Sequence, residues 1–458
     1  MMARIFFKGA YVCIKKLLLL FIFLLQVQLF SAQSFRDRIA ADNRLSASNY
    51  TAYCEPAAAL AEAPDGYTPF YISHYGRHGS RYLIDRQQYE RPLAVLERAG
   101  SAGMLTEKGR YALNAVRRMS RESYNRWGEL TPLGARQHRG IAKRMAQRFP
   151  EVFASGASVD ARSTVVIRCI LSMENEMEEL LRCFPRLAVT TDASLHDMYY
   201  MNCQDTMVNR LRNMPEVTEA YENWKKKHLD NTAFMHRLFK PVYADTTTSG
   251  ERFAADMFSL AGIAQNSAIG DSINLYSLFT ADELYVHWQE HNVGWYLTYG
   301  PSAISKDRLP LSQANLVRNI VTEADRRLAA GQRGATMRFG HESVLLPLVC
   351  LLDVNGYGRQ TACLDSLEDY GWICTDIFPM ACNLQFIFYK PGNKRAADTK
   401  FDEWLVRVLL NEEDARMPVA LVSREARPAK RFEIKGNGSG WFYRWSDLRE
   451  YMLARARL

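Results

Sequence analysis

Apolar and polar residues follow one another in blocks that predict buried strands, each leading into an amphipathic helix. Residues 68–76 (TPFYISHYG) are apolar enough for a buried strand, and residues 85–100 carry apolar side chains at helical spacing. Thr131 is a favourable N-cap, and Pro132 after it suits the first position of a helix that ends before Pro150.

The same strand-to-helix order recurs further along the chain. A short strand is predicted around Val159 before a long helix, and residues 335–339 form a strand that leads into a helix from about Glu342. Further strands are predicted within residues 186–194, 383–392 and 403–413, and a closing helix within 445–456. This alternation predicts an α/β fold, with a mostly parallel sheet and helices on both faces.

Residues 205–330 have a different pattern. They are charged and amphipathic, with few strand-like runs. We therefore predict an inserted, mainly α-helical cap domain at 205–330, and an α/β core built from residues 33–204 and 331–458.

The first 32 residues predict an export signal. Residues 1–32 contain four basic side chains and no acidic one, followed by an apolar run at 17–25 and a possible cleavage site after Ala32. The run is short for a membrane span, which needs about 20 apolar residues. We expect a periplasmic or secreted protein with no stable membrane span after cleavage; an uncleaved membrane anchor is the alternative.

Charge and cysteine content narrow the class of protein. The chain has a net charge of +8, and removing the four positive charges of residues 1–32 leaves +4. This is too weak to indicate a nucleic-acid partner, whereas a small anionic substrate needs only a local positive pocket. Eight cysteines remain outside the signal, an even number that favours disulfides in an exported protein. Buried free thiols are the alternative. The cysteine and histidine spacings predict no metal or other cofactor, and oligomeric state cannot be read from the sequence.

Three predicted strand-to-helix turns carry residues suited to binding and cleaving a phosphate ester. These residues are Arg77, His78 and Arg81 in the first turn, Arg162 in the second, and His341 and Glu342 in the third. In α/β sheets, ligands bind outside the carboxyl ends of the strands, so the fold can bring the turns together. Arginine forks bind phosphate oxygens, a neutral imidazole can attack phosphorus, and a carboxylic acid can protonate the leaving alkoxide. We interpret His74 and His138 as structural, and Arg168 as structural with contact to substrate as the alternative.

The sequence gives opposing indications about whether Glu342 is ionised. Its position at a helix N-terminus favours the carboxylate, whereas burial and an incoming phosphate favour the protonated acid. Because the proposed role requires the acid, we expect an acidic to near-neutral optimum.

Four segments of the chain resemble, in order, those of the histidine acid phosphatases. They are RHGSR at 77–81, which matches the R-H-G-x-R signature, LTPLG at 130–134, ARSTVVIR at 161–168 and RFGHESVLLPL at 338–348. The closing VRVLLNEE and the chain length resemble the multiple inositol polyphosphate phosphatase branch most. The resemblance implies that His78 is the phosphorylated nucleophile and Glu342 the proton donor. It also implies that the phosphate is bound by Arg77, Arg81, Arg162 and His341.

The acidic residue of the distal segment departs from the usual pattern of that branch. The branch usually reads H-A-E, whereas this chain reads His341-Glu342-Ser343. The leading interpretation is an exported, metal-independent phosphomonoester hydrolase acting on inositol polyphosphates such as phytate. The alternatives are a broad-specificity histidine acid phosphatase, a phosphotransferase of the phosphoglycerate mutase type, and a relative that binds phosphorylated sugars without turnover.

Overall fold

The structure is a computed structural model that describes residues 34–57, 59–202, 206–245, 250–306, 308–420 and 440–457. The predicted export signal at 1–32 lies outside the described residues. Within the described ranges, no helix has the length and apolar character needed to cross a bilayer.

Eight strands form one mixed sheet. They are β1 (Tyr67–Arg77), β2 (Ser158–Ser163), β3 (Ala188–Ala193), β4 (Gly334–Gly340), β5 (Asn383–Pro391), β6 (Leu405–Leu410), β7 (Glu413–Asp414) and β8 (Phe442–Arg444). Their order is β3-β2-β4-β1-β5-β6-β7, with β8 also paired to β6. Strands β1 to β4 pair with one another in parallel, whereas β5 to β8 join by antiparallel pairing, beginning with β5 against β1. The predicted α/β class is confirmed.

The register of the parallel strands sets the position of their ends. Arg77 on β1 pairs with Gly340 on β4, and Ser163 on β2 pairs with Phe339 on β4. The carboxyl ends of β1, β2 and β4 are therefore level, so the turns that follow them open at the same edge of the sheet.

Helices contain most of the described residues that lie outside the sheet. They are α1 (Phe35–Ala41), α2 (Gln87–Ser101), α3 (Glu107–Glu122), α4 (Pro132–Arg148), α5 (Ile167–Cys183), α6 (Met198–Met201), α7 (Thr206–Arg212), α8 (Pro215–His228), α9 (Thr232–Leu238), α10 (Pro241–Ala244), α11 (Gly250–Ala264), α12 (Ala281–Tyr299), α13 (Ala314–Ala329), α14 (Glu342–Leu351), α15 (Cys374–Ile377) and α16 (Trp445–Arg455). Thr131 caps α4, since its side chain accepts from Gly134 N, and Pro132 is the first helical residue as expected.

The side chains of β1 alternate between two apolar layers. Ile72 packs in a layer that includes Met145 of α4 and Met173 of α5. Tyr71 and Tyr75 point into the other, larger layer. Helices thus cover both faces of the sheet, which explains why β1 is apolar along most of its length rather than alternating with polar residues.

The described residues between β3 and β4 are helical and contain no strand, in keeping with the pattern that predicted an insert. Helices α11 and α12 pack on a 3₁₀ helix at Asn43–Tyr50 that precedes β1. Division of the chain into core and cap domains stays a prediction.

The predicted disulfides are not found among the described cysteines. None of the seven described cysteines forms a disulfide, whereas Cys203 lies outside the described residues. Cys169, Cys350, Cys374 and Cys382 are buried. They pack as small side chains in the core, and Cys374 Sγ also makes a hydrogen-bond contact of 3.1 Å with Ser48 Oγ.

Candidate active site

The loop after β1 is fixed by hydrogen bonds to three neighbouring elements. His78 N donates to Gly340 O at the end of β4 (2.9 Å). Gly79 N donates to Ser172 Oγ on α5 (3.1 Å), and Ser80 N donates to Gln137 Oε1 on α4 (2.8 Å). With its backbone donors bound to separate elements, the loop presents its side chains in one orientation.

Gly79 is required by the close approach of the loop to α4. A Cβ added at Gly79 would lie 2.5 Å from Gly134 O, and one added at Gly134 would lie 2.3 Å from Ser80 O. These two glycines let backbone pack on backbone, so the RHGSR and LTPLG segments act as one unit.

The structure brings together five of the six predicted site residues. Glu342 Oε2 lies 3.0 Å from Arg77 Nε and 3.5 Å from His78 Nε2, and Glu342 Oε1 lies 3.9 Å from Arg81 Nη2. The His78 and His341 rings meet edge to face, with centroids 5.8 Å apart. All five side chains are buried. In so dry a site, charges act on each other strongly.

A backbone carbonyl fixes the tautomer of His78. Nδ1 lies 2.9 Å from Gly79 O, which can only accept, so we assign the ring proton to Nδ1. Nε2 then carries the lone pair, and it has no hydrogen-bond partner among the described residues. Burial lowers the pKa of His78 well below its usual range, so the ring stays neutral in mild acid. A neutral imidazole with a free Nε2 is a competent nucleophile.

Opposing effects set the charge of Glu342. Burial raises the pKa of its carboxyl group, but the charges of Arg77 and Arg81, together with the proximity of His78, outweigh burial. The pKa therefore lies well below its usual range, and the resting site holds a carboxylate. Of the two charge states that the sequence allows for Glu342, the structure favours the carboxylate.

The arginines of the site keep buried donors that no described residue satisfies. Arg77 Nη1 donates to Asn49 O (2.7 Å) and Phe378 O (3.0 Å), which locks the guanidinium in place. Arg77 Nη2, Arg81 Nε and Arg168 Nε have no hydrogen-bond partner, and Arg77 Nε lacks an aligned one. Unsatisfied buried donors cost free energy, and an anion bound among them would satisfy several at once.

Arg162 is not brought into this cluster. It lies within β2, on the strand face opposite the buried Val159 and Ala161. Its Nη1 is 2.8 Å from Asp197 and 3.4 Å from Asp192, so carboxylates already neutralise it. These contacts do not support the predicted phosphate-binding role of Arg162. Its side chain projects from one face of the sheet and does not extend beyond the end of β2, where the cluster lies.

Arg168, rather than Arg162, lies close to the histidines and arginines of the cluster. It is the second residue of α5, directly after the β2 turn, and its Nη1 lies 3.4 Å from Gly128 O. Its charge contributes to lowering the pKa of both His78 and His341. A signal was present in the sequence, since Arg168 ends the ARSTVVIR segment at a helix start.

His341 follows β4 and meets the His78 ring edge to face. Its Nε2 is 3.3 Å from Thr164 Oγ1, and burial lowers its pKa to about 4, helped by the charge of Arg168. It is therefore neutral near pH 6 and can serve as a hydrogen-bond donor to a phosphate oxygen.

The same residues include the one group, among those described, with spacing that could hold a metal ion. Ligand atoms of His78, His341 and Glu342 all lie within 4.8 Å of one another. The guanidinium groups of Arg77 and Arg81 flank them, and their charges oppose the binding of a cation. The arrangement suits an anion.

The solved structures that share this fold include two phosphatases. A multiple inositol polyphosphate phosphatase from Bifidobacterium longum, crystallised with inositol hexasulfate, superposes with a TM-score of 0.66 at 18% identity, covering 81% of this chain and 92% of that one. A phytase from D. castellii superposes with a TM-score of 0.59 at 12% identity, covering 90% of this chain and 85% of that one. At these identities the likeness concerns the fold.

No curated protein matches the sequence. The model of the histidine phosphatase superfamily, branch 2, matches residues 76–411. That range spans most of the chain and contains both segments of the candidate site, the loop at Arg77–Arg81 and the turn at His341–Glu342. The chain therefore belongs to branch 2 of the histidine phosphatase superfamily and is a histidine acid phosphatase.

Proposed function

We propose that this protein is an exported phosphatase that removes phosphate groups from inositol polyphosphates, phytate among them, through a phosphohistidine at His78. The observation that carries the proposal is the free Nε2 of His78, buried beside guanidinium donors that lack partners. A dianionic phosphoryl group would satisfy these donors and lie in line with the nucleophile.

In the first step, Nε2 of His78 attacks phosphorus, and an N–P bond forms as the bond to the leaving oxygen breaks. Arg77, Arg81 and Arg168 stabilise the negative charge on the non-bridging oxygens. Glu342, in its acid form, transfers its proton to the leaving alkoxide. The products are an alcohol and a phosphohistidine.

In the second step, water attacks the phosphohistidine. Glu342, now a carboxylate, accepts a proton from that water as the N–P bond breaks, which returns a neutral His78 and a protonated Glu342. Inorganic phosphate then leaves the arginines.

The substrate brings the proton that Glu342 needs. Phosphate oxygens compete with Glu342 for Arg77 and Arg81, whose charges hold its pKa down. Once the arginines are neutralised by phosphate, burial dominates and the carboxyl group takes up a proton. A phosphate monoester with a second pKa of about 6 carries that proton into the site as its monoanion.

The substrate class and the export remain proposals with separate support. The Bifidobacterium longum enzyme of the same fold was crystallised with inositol hexasulfate. Export is indicated by the basic and apolar residues 1–32. A broad-specificity phosphatase is the second candidate, because the acid directly follows His341 rather than standing one position further on, as in the branch it resembles.

Two measurements test the proposal. Wild-type protein should hydrolyse phytate with a higher kcat/KM than p-nitrophenyl phosphate; the reverse order would assign a broad-specificity phosphatase. His78→Ala should abolish turnover of both esters, and a variant that keeps the wild-type rate would exclude His78 as the nucleophile. N-terminal sequencing of the exported chain tests the predicted start after Ala32.

A further inference from the structure

A cavity of about 410 Å³ lies beside the catalytic cluster. Asn49 and Tyr50 line it and also contact the catalytic residues. The carbonyl of Asn49 accepts from Arg77, and its amide nitrogen lies 3.5 Å from Glu342 Oε1. The Tyr50 ring lies 5.5 Å from the guanidinium carbon of Arg81. The cavity therefore adjoins the proposed proton donor.

Arg212, the last residue of α7, projects its charge into this cavity. Its Nε donates to Thr298 O (2.9 Å) and its Nη1 to Asn209 Oδ1 (3.3 Å), and its guanidinium lies 4.0 Å above the Tyr299 ring. Among the described residues, no carboxylate lies within 4.0 Å of it to form an ion pair. Burial lowers its pKa, so a nearby anion would relieve the cost of keeping the charge there.

Three aromatic side chains also line the cavity. Tyr221, Trp295 and Tyr299 face the same space as Arg212. Aromatic faces pack against the C–H groups of a saturated ring, and the single guanidinium binds one anion bidentately. A second anion buried here would have no partner, which is unfavourable. The lining thus fits a ring that carries one phosphate inside the cavity and the others towards solvent.

We propose that Arg212 binds a second phosphate of the substrate, distinct from the one attacked by His78, and so selects ring polyphosphates over simple monoesters. This inference rests on the proposed function and adds a specificity-determining residue to it. It places the leaving ring over Tyr299, with the reacting phosphate in the arginine cluster and the second phosphate at Arg212.

The test compares Arg212→Met with Arg210→Met. The first variant keeps the apolar stem of the side chain and removes its charge; the second changes an exposed arginine on the same helix. A charge-assisted hydrogen bond lost at Arg212 should lower kcat/KM for phytate, relative to p-nitrophenyl phosphate, by roughly 10- to 100-fold. Arg212→Lys should recover part of this ratio, and Arg210→Met should leave both substrates at the wild-type rate.

An unchanged substrate ratio in Arg212→Met would overturn the proposal, as would an equal loss on both substrates, which would indicate a structural role. Binding supplies a readout that does not depend on turnover. In calorimetry with phytate, His78→Ala should bind at least tenfold more tightly than the double variant with Arg212→Met. Equal binding, or no binding by His78→Ala, would contradict the role of Arg212, whereas a wild type without phosphatase activity would contradict the proposed function instead.

Discussion

Replacing Glu342 with glutamine tests the assignment of the proton donor. The carboxylate is 3.0 Å from Arg77 Nε and 3.5 Å from His78 Nε2, so the substitution removes a charge and an acid without emptying the space. Glutamine can still accept a hydrogen bond from Arg77, but it cannot give a proton to a leaving alkoxide.

The expected loss depends on the leaving group. General acid catalysis contributes about 10² to 10⁴ in rate, or roughly 3 to 5 kcal/mol of barrier. Phytate, which leaves as a strongly basic alkoxide, should lose that full factor. p-Nitrophenyl phosphate should lose much less, because its phenolate is a weaker base and departs with little protonation. Removing the competing carboxylate should also strengthen inhibition by inorganic phosphate.

The assay is steady-state hydrolysis of both esters by wild type and Glu342→Gln, with the inhibition constant of inorganic phosphate measured in each. Thermal unfolding of both proteins serves as the control for folding. An equal rate loss on the two esters would show that Glu342 positions the phosphate instead of protonating the leaving group. No loss on phytate would remove Glu342 from the mechanism.

Three further outcomes follow from the same geometry. Gly79→Ala should cut kcat/KM strongly, because its Cβ would lie 2.5 Å from a backbone oxygen of α4, whereas Gly100→Ala, which meets only side chains at 3.3 Å or more, should remain near wild type; equal activities would contradict the close-packing argument. A profile of kcat/KM against pH should stay high from about pH 6 down through the acidic range in which an ordinary imidazole is protonated, because burial lowers the pKa of His78. It should fall above about pH 6 as the substrate monoanion disappears. A flat profile from pH 3 to 9 would refute the proposed delivery of a proton to Glu342 by the substrate. Glu176→Leu should lower the free energy of unfolding by roughly 1–3 kcal/mol, since it removes the buried partner 2.6 Å from His138 Nδ1; an unchanged urea midpoint would show that the pair contributes nothing.

The strand-to-helix pattern was enough to predict the class of fold and the edge of the sheet that carries the site. His78, His341 and Glu342 directly follow the ends of β1 and β4. The position and direction of these strands therefore determine where the three residues lie. The antiparallel half of the sheet was harder to foresee, because β5 and β6 are as apolar as the parallel strands and pairing direction leaves no mark in composition.

The choice between Arg162 and Arg168 could not be made from spacing. Both belong to one segment, and only the register of β2 shows that Arg162 projects sideways towards Asp197, whereas Arg168 follows the turn. The ionisation of Glu342 likewise depends on Arg77 and Arg81, which are remote in sequence. The even number of cysteines predicted disulfides, but no disulfide joins the described cysteines, of which four are buried and three are exposed.

The most direct test of the account is a trapped phosphoenzyme. Protein mixed briefly with ³²P-labelled phytate would be quenched in alkaline denaturant, which preserves phosphohistidine, and digested for peptide mapping. The account predicts one labelled peptide that contains His78 and no label in His78→Ala. Label on His341 or on any other residue, or equal label in the variant, would contradict it.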